Sequence, residues 1–217
     1  MPNQDRLTFS AVFTLDRSGK IHDKWFGKTI IHSNKRFTYE DVDKILETGQ
    51  GPLVKELMDI NDIAKKIRAE RMAKGAMAFD SDDVKFDLDA TGKPIGIIRT
   101  VSTDSHRLIE EYMLMANRNV AESIFYKKSA KGGNGKHTFV YRIHDAPNQE
   151  KISDLRNFLK KFNYDFGKDR VLTSKKLNDL ILEAEDKPEE RLVKASILRS
   201  MSRAIYSTKN IGHYSLA

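Results

Sequence analysis

Ser105-His-Arg-Leu-Ile-Glu-Glu-Tyr-Met-Leu-Met-Ala-Asn-Arg-Asn-Val-Ala-Glu-Ser-Ile-Phe-Tyr126 reads as one long helix. Leu108, Tyr112, Met115 and Asn119 fall on one stripe, and Ile109, Met113, Ala116, Val120 and Ile124 fall on a neighbouring one. Apolar stripes this wide predict a helix largely enclosed by its domain. The same helix carries Glu110, Glu111, Asn117, Arg118 and Asn119. Polar groups on an enclosed helix need partners, because an unpaired buried charge is costly. Glu110 and Asn117 are separated by seven positions, which sets them nearly in line two turns apart. On spacing alone, this carboxylate and amide at the border of the core serve to bond neighbouring loops.

Working outward from that helix, the preceding chain alternates strands and helices. Leu7 to Leu15 is rich in β-formers and alternates, so it reads as a strand. The turn Asp16-Arg-Ser-Gly-Lys20 returns it as a second strand, Ile21 to Ile31, with Trp25, Phe26, Ile30 and Ile31 as core candidates. Thr38 is placed to cap a short helix that Gly49 and Gly51 stop. Pro52 opens a longer helix to about Lys74, periodic through Leu57, Ile60, Ala64 and Ile67. Its Lys65, Lys66, Arg68, Arg71 and Lys74 read as a solvated basic face. Asp82 to Asp89 and Ile95 to Val101 are two further strands about the turn Ala90-Thr-Gly-Lys-Pro94.

Beyond the long helix, Lys127 to Lys136 has the composition of a basic solvent loop, with no Walker pattern. Thr138 to His144 reads as a strand, and Gln149 to Phe162 as an amphipathic helix through Ile152, Leu155 and Leu159. Thr173 or Ser174 caps a helix to about Ala184, and Pro188 opens another from about Glu189 to Met201. The last residues, Ala204 to Ala217, have the pattern of a strand cut off in mid-domain. No internal repeat and no composition typical of a linker interrupts the chain. The expected class is α+β, with a mixed, largely antiparallel sheet packed with several helices.

Composition narrows the chemistry. The chain has 217 residues and no cysteine, which excludes disulfides, thiolate metal sites and cysteine nucleophiles. No apolar run approaches a membrane span and the first residues do not have signal-peptide form, so the expectation is a cytoplasmic protein with no membrane partner. A formal charge of +7 suits a polyanion such as nucleic acid, although charge alone is weak ground for a partner. No Gly-x-Ser-x-Gly, no His-Glu-x-x-His and no metal-type histidine spacing occurs. Strand alternation sets Asp83, Lys85, Asp87 and Asp89 on one face, but the pattern lacks the glycine and the closing glutamate of a calcium loop. Residue chemistry alone therefore supports a basic domain and no particular reaction.

Several segments in order resemble the RNB catalytic domain of the ribonuclease II / ribonuclease R family, and the ribonuclease R branch in particular. They are Arg6-Leu-Thr-Phe-Ser-Ala-Val-Phe-Thr-Leu15, Ser33-Asn-Lys-Arg-Phe-Thr-Tyr-Glu-Asp-Val42, Gly75-Ala-Met-Ala-Phe79, Leu108-Ile-Glu-Glu-Tyr-Met-Leu-Met-Ala-Asn117, Tyr141-Arg-Ile-His-Asp-Ala-Pro147 and Ala204 to Ala217. The resemblance implies a processive 3′-to-5′ exoribonuclease that hydrolyses single-stranded RNA to nucleoside 5′-monophosphates, with Mg²⁺ held by an Asp cluster. It implies that Phe79 stacks on a terminal base. It implies that Glu110 contacts the terminal sugar, where a carboxylate can accept from a 2′-hydroxyl. Asn117 and Arg118 match the end of the same motif, with a positioning role.

The chain also departs from the family pattern. The family's Asp cluster lies upstream of the first hairpin, and Asp5 and Asp16 do not reproduce it. Its catalytic arginine, in a Ser-Pro-Ile-Arg-Arg-Tyr motif, lies just beyond the Gly-His-Tyr-Ser-Leu-Ala ending. Flanking cold-shock and S1 domains are likewise missing. The expectation is that residues 1–217 are part of an RNB catalytic domain, inactive alone, supplying one wall of an RNA channel and prone to self-association through exposed strand edges. The alternative is a non-catalytic RNA-binding or structural module.

Overall fold

Asp16 and Asp89 close two hairpins in the same way, through the sequence Asp-x-Ser/Thr-Gly-Lys. In this computed structural model, which describes residues 3–77, 83–126, 138–164 and 173–213, strands β1 (Asp5–Leu15) and β2 (Ile21–His32) form the first hairpin. Strands β3 (Asp83–Leu88) and β4 (Pro94–Thr100) form the second. The Asp16 carboxylate accepts from the Ser18 and Lys20 backbone N–H groups at 2.8 and 3.1 Å. The Asp89 carboxylate accepts from those of Thr91 and Lys93 at 2.8 and 2.9 Å. In each turn the glycine has positive φ, +88° at Gly19 and +82° at Gly92. The Ser18 hydroxyl, then His22, hold the Asp16 carboxyl well below the ordinary carboxylate range.

The described residues divide into two compact units, one of Met1–Arg68 with Asp80–Val120 and the other of Ala69–Phe79 with Ala121–Ala217. The first contains both hairpins, helix α1 (Tyr39–Thr48), and most of α2 (Val54–Ala73) and α3 (Asp104–Phe125). The β1–β2 ladder is antiparallel, running from Asp5 opposite His32 to Thr14 opposite Asp23 before a register shift. Helix α1 begins in a full capping box: Thr38 Oγ1 accepts from the Asp41 N–H, and Asp41 accepts from the Thr38 N–H, both at 3.1 Å. Thr38→Ala removes one of these bonds and should cost about 1 kcal/mol, read from the urea midpoint at unchanged slope.

The hairpin core candidates fare unevenly. Phe26 is half-buried and meets Phe13 edge-on at 5.9 Å between ring centres. Trp25, Ile30 and Ile31 are exposed, contrary to expectation. The physical reason is that this sheet has only two strands, so its alternating residues are not sandwiched between packed layers. Trp25 instead lies across Gly27, where an added Cβ would stand 2.4 Å from the indole ring.

The second unit holds β5 (Tyr141–Ile143), α4 (Gln149–Lys160), α5 (Ser174–Glu183), α6 (Glu190–Ser200) and β6 (Ile205–Ser207). Its core gathers Ile152, Leu155 and Leu159 of α4, Leu177 and Leu180 of α5, and Val193 and Ile197 of α6. Apolar residues three and four apart on each helix put these side chains on one face. Asn148 caps α4 and Thr173 caps α5, each through its side-chain oxygen. Strands β5 and β6 pair antiparallel, Tyr141 opposite Ser207. The class is therefore α+β, as expected, with the described strands in three two-stranded antiparallel sheets beside six helices. The loop read at Lys127 to Lys136 lies outside the described residues.

Candidate functional site

Helix α3 is enclosed on one face rather than two. Leu108 and Ser105 are buried, but Ile109 and Met113 stand 51% and 53% exposed. The expectation of a largely enclosed helix is corrected here. The second stripe is only partly covered: Ile109 and Met113 are exposed, while Ala116, Val120 and Ile124 are half-buried. The polar residues sort by the same geometry. A helix turns about 100° per residue, so the adjacent Glu110 and Glu111 must diverge. The Glu111 side chain is 1% exposed and the Glu110 side chain 44% exposed.

Arg68 of α2 serves both carboxylates. Its Nη1 donates to Glu111 Oε1 at 3.3 Å and stands 3.6 Å from Glu110 Oε2, an ion pair at longer range. Arg68 is itself only 21% exposed, so this guanidinium is not part of a solvated face as the sequence suggested. Its position explains why: it lies four residues after buried Ala64 and seven after buried Asn61, on the covered stripe of α2. Lys65, one position off that stripe, pairs with Asp104 at 2.7 Å, and that contact lowers the Asp104 pKa. Tyr112 donates its phenol proton to the Ile60 carbonyl at 3.0 Å, and burial raises its pKa.

Further along α3, Asn119 is buried. Its Oδ1 accepts from Lys24 Nζ of β2 at 2.9 Å, and its Nδ2 donates to the Met115 carbonyl at 2.9 Å. Lys24 thus fixes the hairpin to the helix. Asn117 and Arg118 are both exposed. The structure brings Glu110, Asn117 and Arg118 onto one helix, with Arg68 beside Glu110. Phe79, the fourth expected contact, lies outside the described residues. Sequence reasoning missed Arg68, Glu111 and Lys24. Glu111 carried a signal: it lies three residues after Leu108 and four before Met115, inside the apolar stripe.

Among the described residues no three His, Asp or Glu side chains gather in a way that could hold a metal ion, so they do not fit a Mg²⁺ site. Asp89, part of the acidic strand, spends its carboxylate on the turn. No helix among the described residues is long and apolar enough to cross a membrane. What remains is a half-exposed carboxylate held by an arginine on a helix with exposed amide and guanidinium groups. Such a surface can accept from hydroxyls and pair with phosphates.

The RNB domain description matches residues 1–217. The chain belongs to the RNB domain family. Ribonuclease R of Aquifex aeolicus (strain VF5) is 30% identical over 222 residues, covering 100% of this RNB chain and 30% of that protein. DIS3-like exonuclease 2 of Schizosaccharomyces pombe is 33% identical, covering 94% of this chain and 23% of that one. The RNB chain thus spans about a quarter to a third of the length of these relatives. Among solved structures, Mycoplasma genitalium RNase R in complex with double-stranded RNA aligns at TM-score 0.88 and 23% identity, covering 100% of this chain and 38% of that one. Yeast Ssd1, described as a pseudonuclease, aligns at TM-score 0.70 and 21% identity, covering 100% and 26%. At these identities the structural likeness establishes the RNB fold.

Proposed function

We propose that this RNB chain is part of a hydrolytic 3′-to-5′ exoribonuclease that degrades single-stranded RNA to nucleoside 5′-monophosphates in the cytoplasm, and that α3 supplies a wall of its RNA channel. The observation that carries the reading is the RNB match across residues 1–217, joined by relatives named Ribonuclease R over the same span. Solved relatives in complex with single-stranded and double-stranded RNA support RNA as the ligand.

Within this reading Glu110 accepts a hydrogen bond from a ribose hydroxyl. Arg68 on its inner side, 3.6 Å away, helps hold the carboxylate in place. Asn117 and Arg118 extend the contact surface, and Phe79 stacks on a base. The chain orients RNA; bond cleavage belongs to residues outside it, as does the Mg²⁺ site. A second reading, a non-catalytic RNA-binding module, is favoured by one observation: the fold is shared with a pseudonuclease.

Purified chain with Mg²⁺ and a labelled oligoadenylate is expected to bind RNA in a salt-sensitive way and release no mononucleotide. Glu110→Ala should weaken RNA but not DNA binding by about fivefold, the equivalent of one net hydrogen bond. Mononucleotide release from this chain would refute the division of labour, and equal loss for RNA and DNA would remove Glu110 from sugar recognition. Cleavage regained when the chain is supplied within a longer RNB polypeptide separates the enzyme from the binding module.

A further inference from the structure

A cavity of about 710 Å³ lies within the second unit, whereas Glu110, Asn117 and Arg118 belong to the first. Its walls carry Arg142, Lys151, Arg199 and Arg203, together with His144 and His213, and no carboxylate is among the described residues that line it. Four cations around one concavity repel one another and together attract an anion. The floor beneath them is fixed by hydrogen bonds. The His144 backbone N–H donates to the Gly212 carbonyl at 3.1 Å, and the Ser202 hydroxyl donates to the Ala146 carbonyl at 2.9 Å. His144 Nε2 lies 2.7 Å from the Ser202 carbonyl oxygen. A carbonyl only accepts, so Nε2 carries the proton, which fixes the ring. His213 meets that ring edge-on at 4.9 Å. Arg142 rests over the Tyr206 ring at 5.3 Å, a contact that holds its guanidinium plane.

We infer that this pocket is a binding site for phosphate groups. Guanidinium forks and an ammonium around a concavity match the charge and the several acceptor oxygens of a phosphate, and hydrogen bonds to a charged acceptor are the strong ones. Burial first, then the neighbouring His144 and Arg142, lower the His213 pKa. The phosphate can be free, the terminal group of a nucleotide, or an internucleotide group of RNA. The site stands independently of the proposed RNA role of α3, since two of these ligands involve no RNA.

The test is titration of the purified chain with inorganic phosphate, with AMP and with oligoadenylate, following the imidazole Cε1–H signals of the histidines by NMR. His144 and His213 are expected to shift saturably, and the probe that acts at the lowest concentration identifies the source of the phosphate. The triple variant Lys151→Ala, Arg199→Ala, Arg203→Ala, whose side chains are exposed, should bind that probe at least about tenfold more weakly. A control triple with the same charge change, Lys35→Ala, Lys44→Ala, Lys55→Ala, should leave the titration unchanged. Should circular dichroism show the first triple unfolded, Arg199→Gln and Arg203→Gln singly are read in its place. Equal weakening by both triples, or no saturable shift with any probe, would overturn the assignment.

Discussion

Replacing Leu159 by alanine is expected to lower stability by about 3–5 kcal/mol, the largest effect of any single truncation considered for this chain. Leu159 is fully buried on α4, and the core around it draws on α5 and α6 as well. Losing three carbons there forfeits transfer energy and leaves a cavity that neighbours on three helices cannot all relax to fill. Leu192 on α6 is the control, because it is exposed and its truncation should stay within about 0.5 kcal/mol. Urea unfolding followed by far-UV circular dichroism makes the comparison. A Leu159→Ala penalty below about 1 kcal/mol would mean that the three-helix core is loosely packed.

Arg68→Ala comes next, at about 3 kcal/mol. The cost arises less from the lost ion pair than from what stays behind: the Glu111 carboxylate, nearly sealed from water, without this cation. Removing both partners with Arg68→Met and Glu111→Met should cost less than Arg68→Ala alone, since the buried carboxylate leaves together with its cation. The double-mutant cycle gives the coupling directly. A buried pair is weakly screened, so the Arg68→Ala penalty should persist in high salt. A double variant as unstable as the sum of its parts would show that the two side chains act independently.

These two experiments probe the parts of the molecule that were most and least legible in the sequence. The α4, α5 and α6 core was legible because each helix repeats its apolar residues at helical spacing and carries its own signal, Asn148, Thr173 or Pro188, at the start. Thr38 and Asp41 were legible for the same reason: a cap acts within four residues, so sequence contains the whole interaction. Arg68 was not legible, because its meaning depends on Glu111, 43 positions away. Read within its own segment it is one more cation in a basic run. Trp25, Ile30 and Ile31 misled in the opposite direction. Strand alternation says which residues share a face, but not whether a second layer lies against it. For the candidate site, the family resemblance singled out Glu110, and geometry then separated it from Glu111, which spacing arguments had left as a peer.

The paired Asp-x-Ser/Thr-Gly-Lys turns bear on how quickly this chain finds its structure. Every backbone N–H bond to the Asp16 and Asp89 carboxylates spans no more than four residues, and each hairpin zips outward from there. Such closures take microseconds and carry little loop entropy. The Arg68–Glu111 contact must wait for a search across 43 residues, within which the second of those hairpins also lies. A hairpin that is already zipped shortens the effective length of that search, so the second turn acts as a kinetic splice, bringing α2 and α3 within reach of each other before either is anchored.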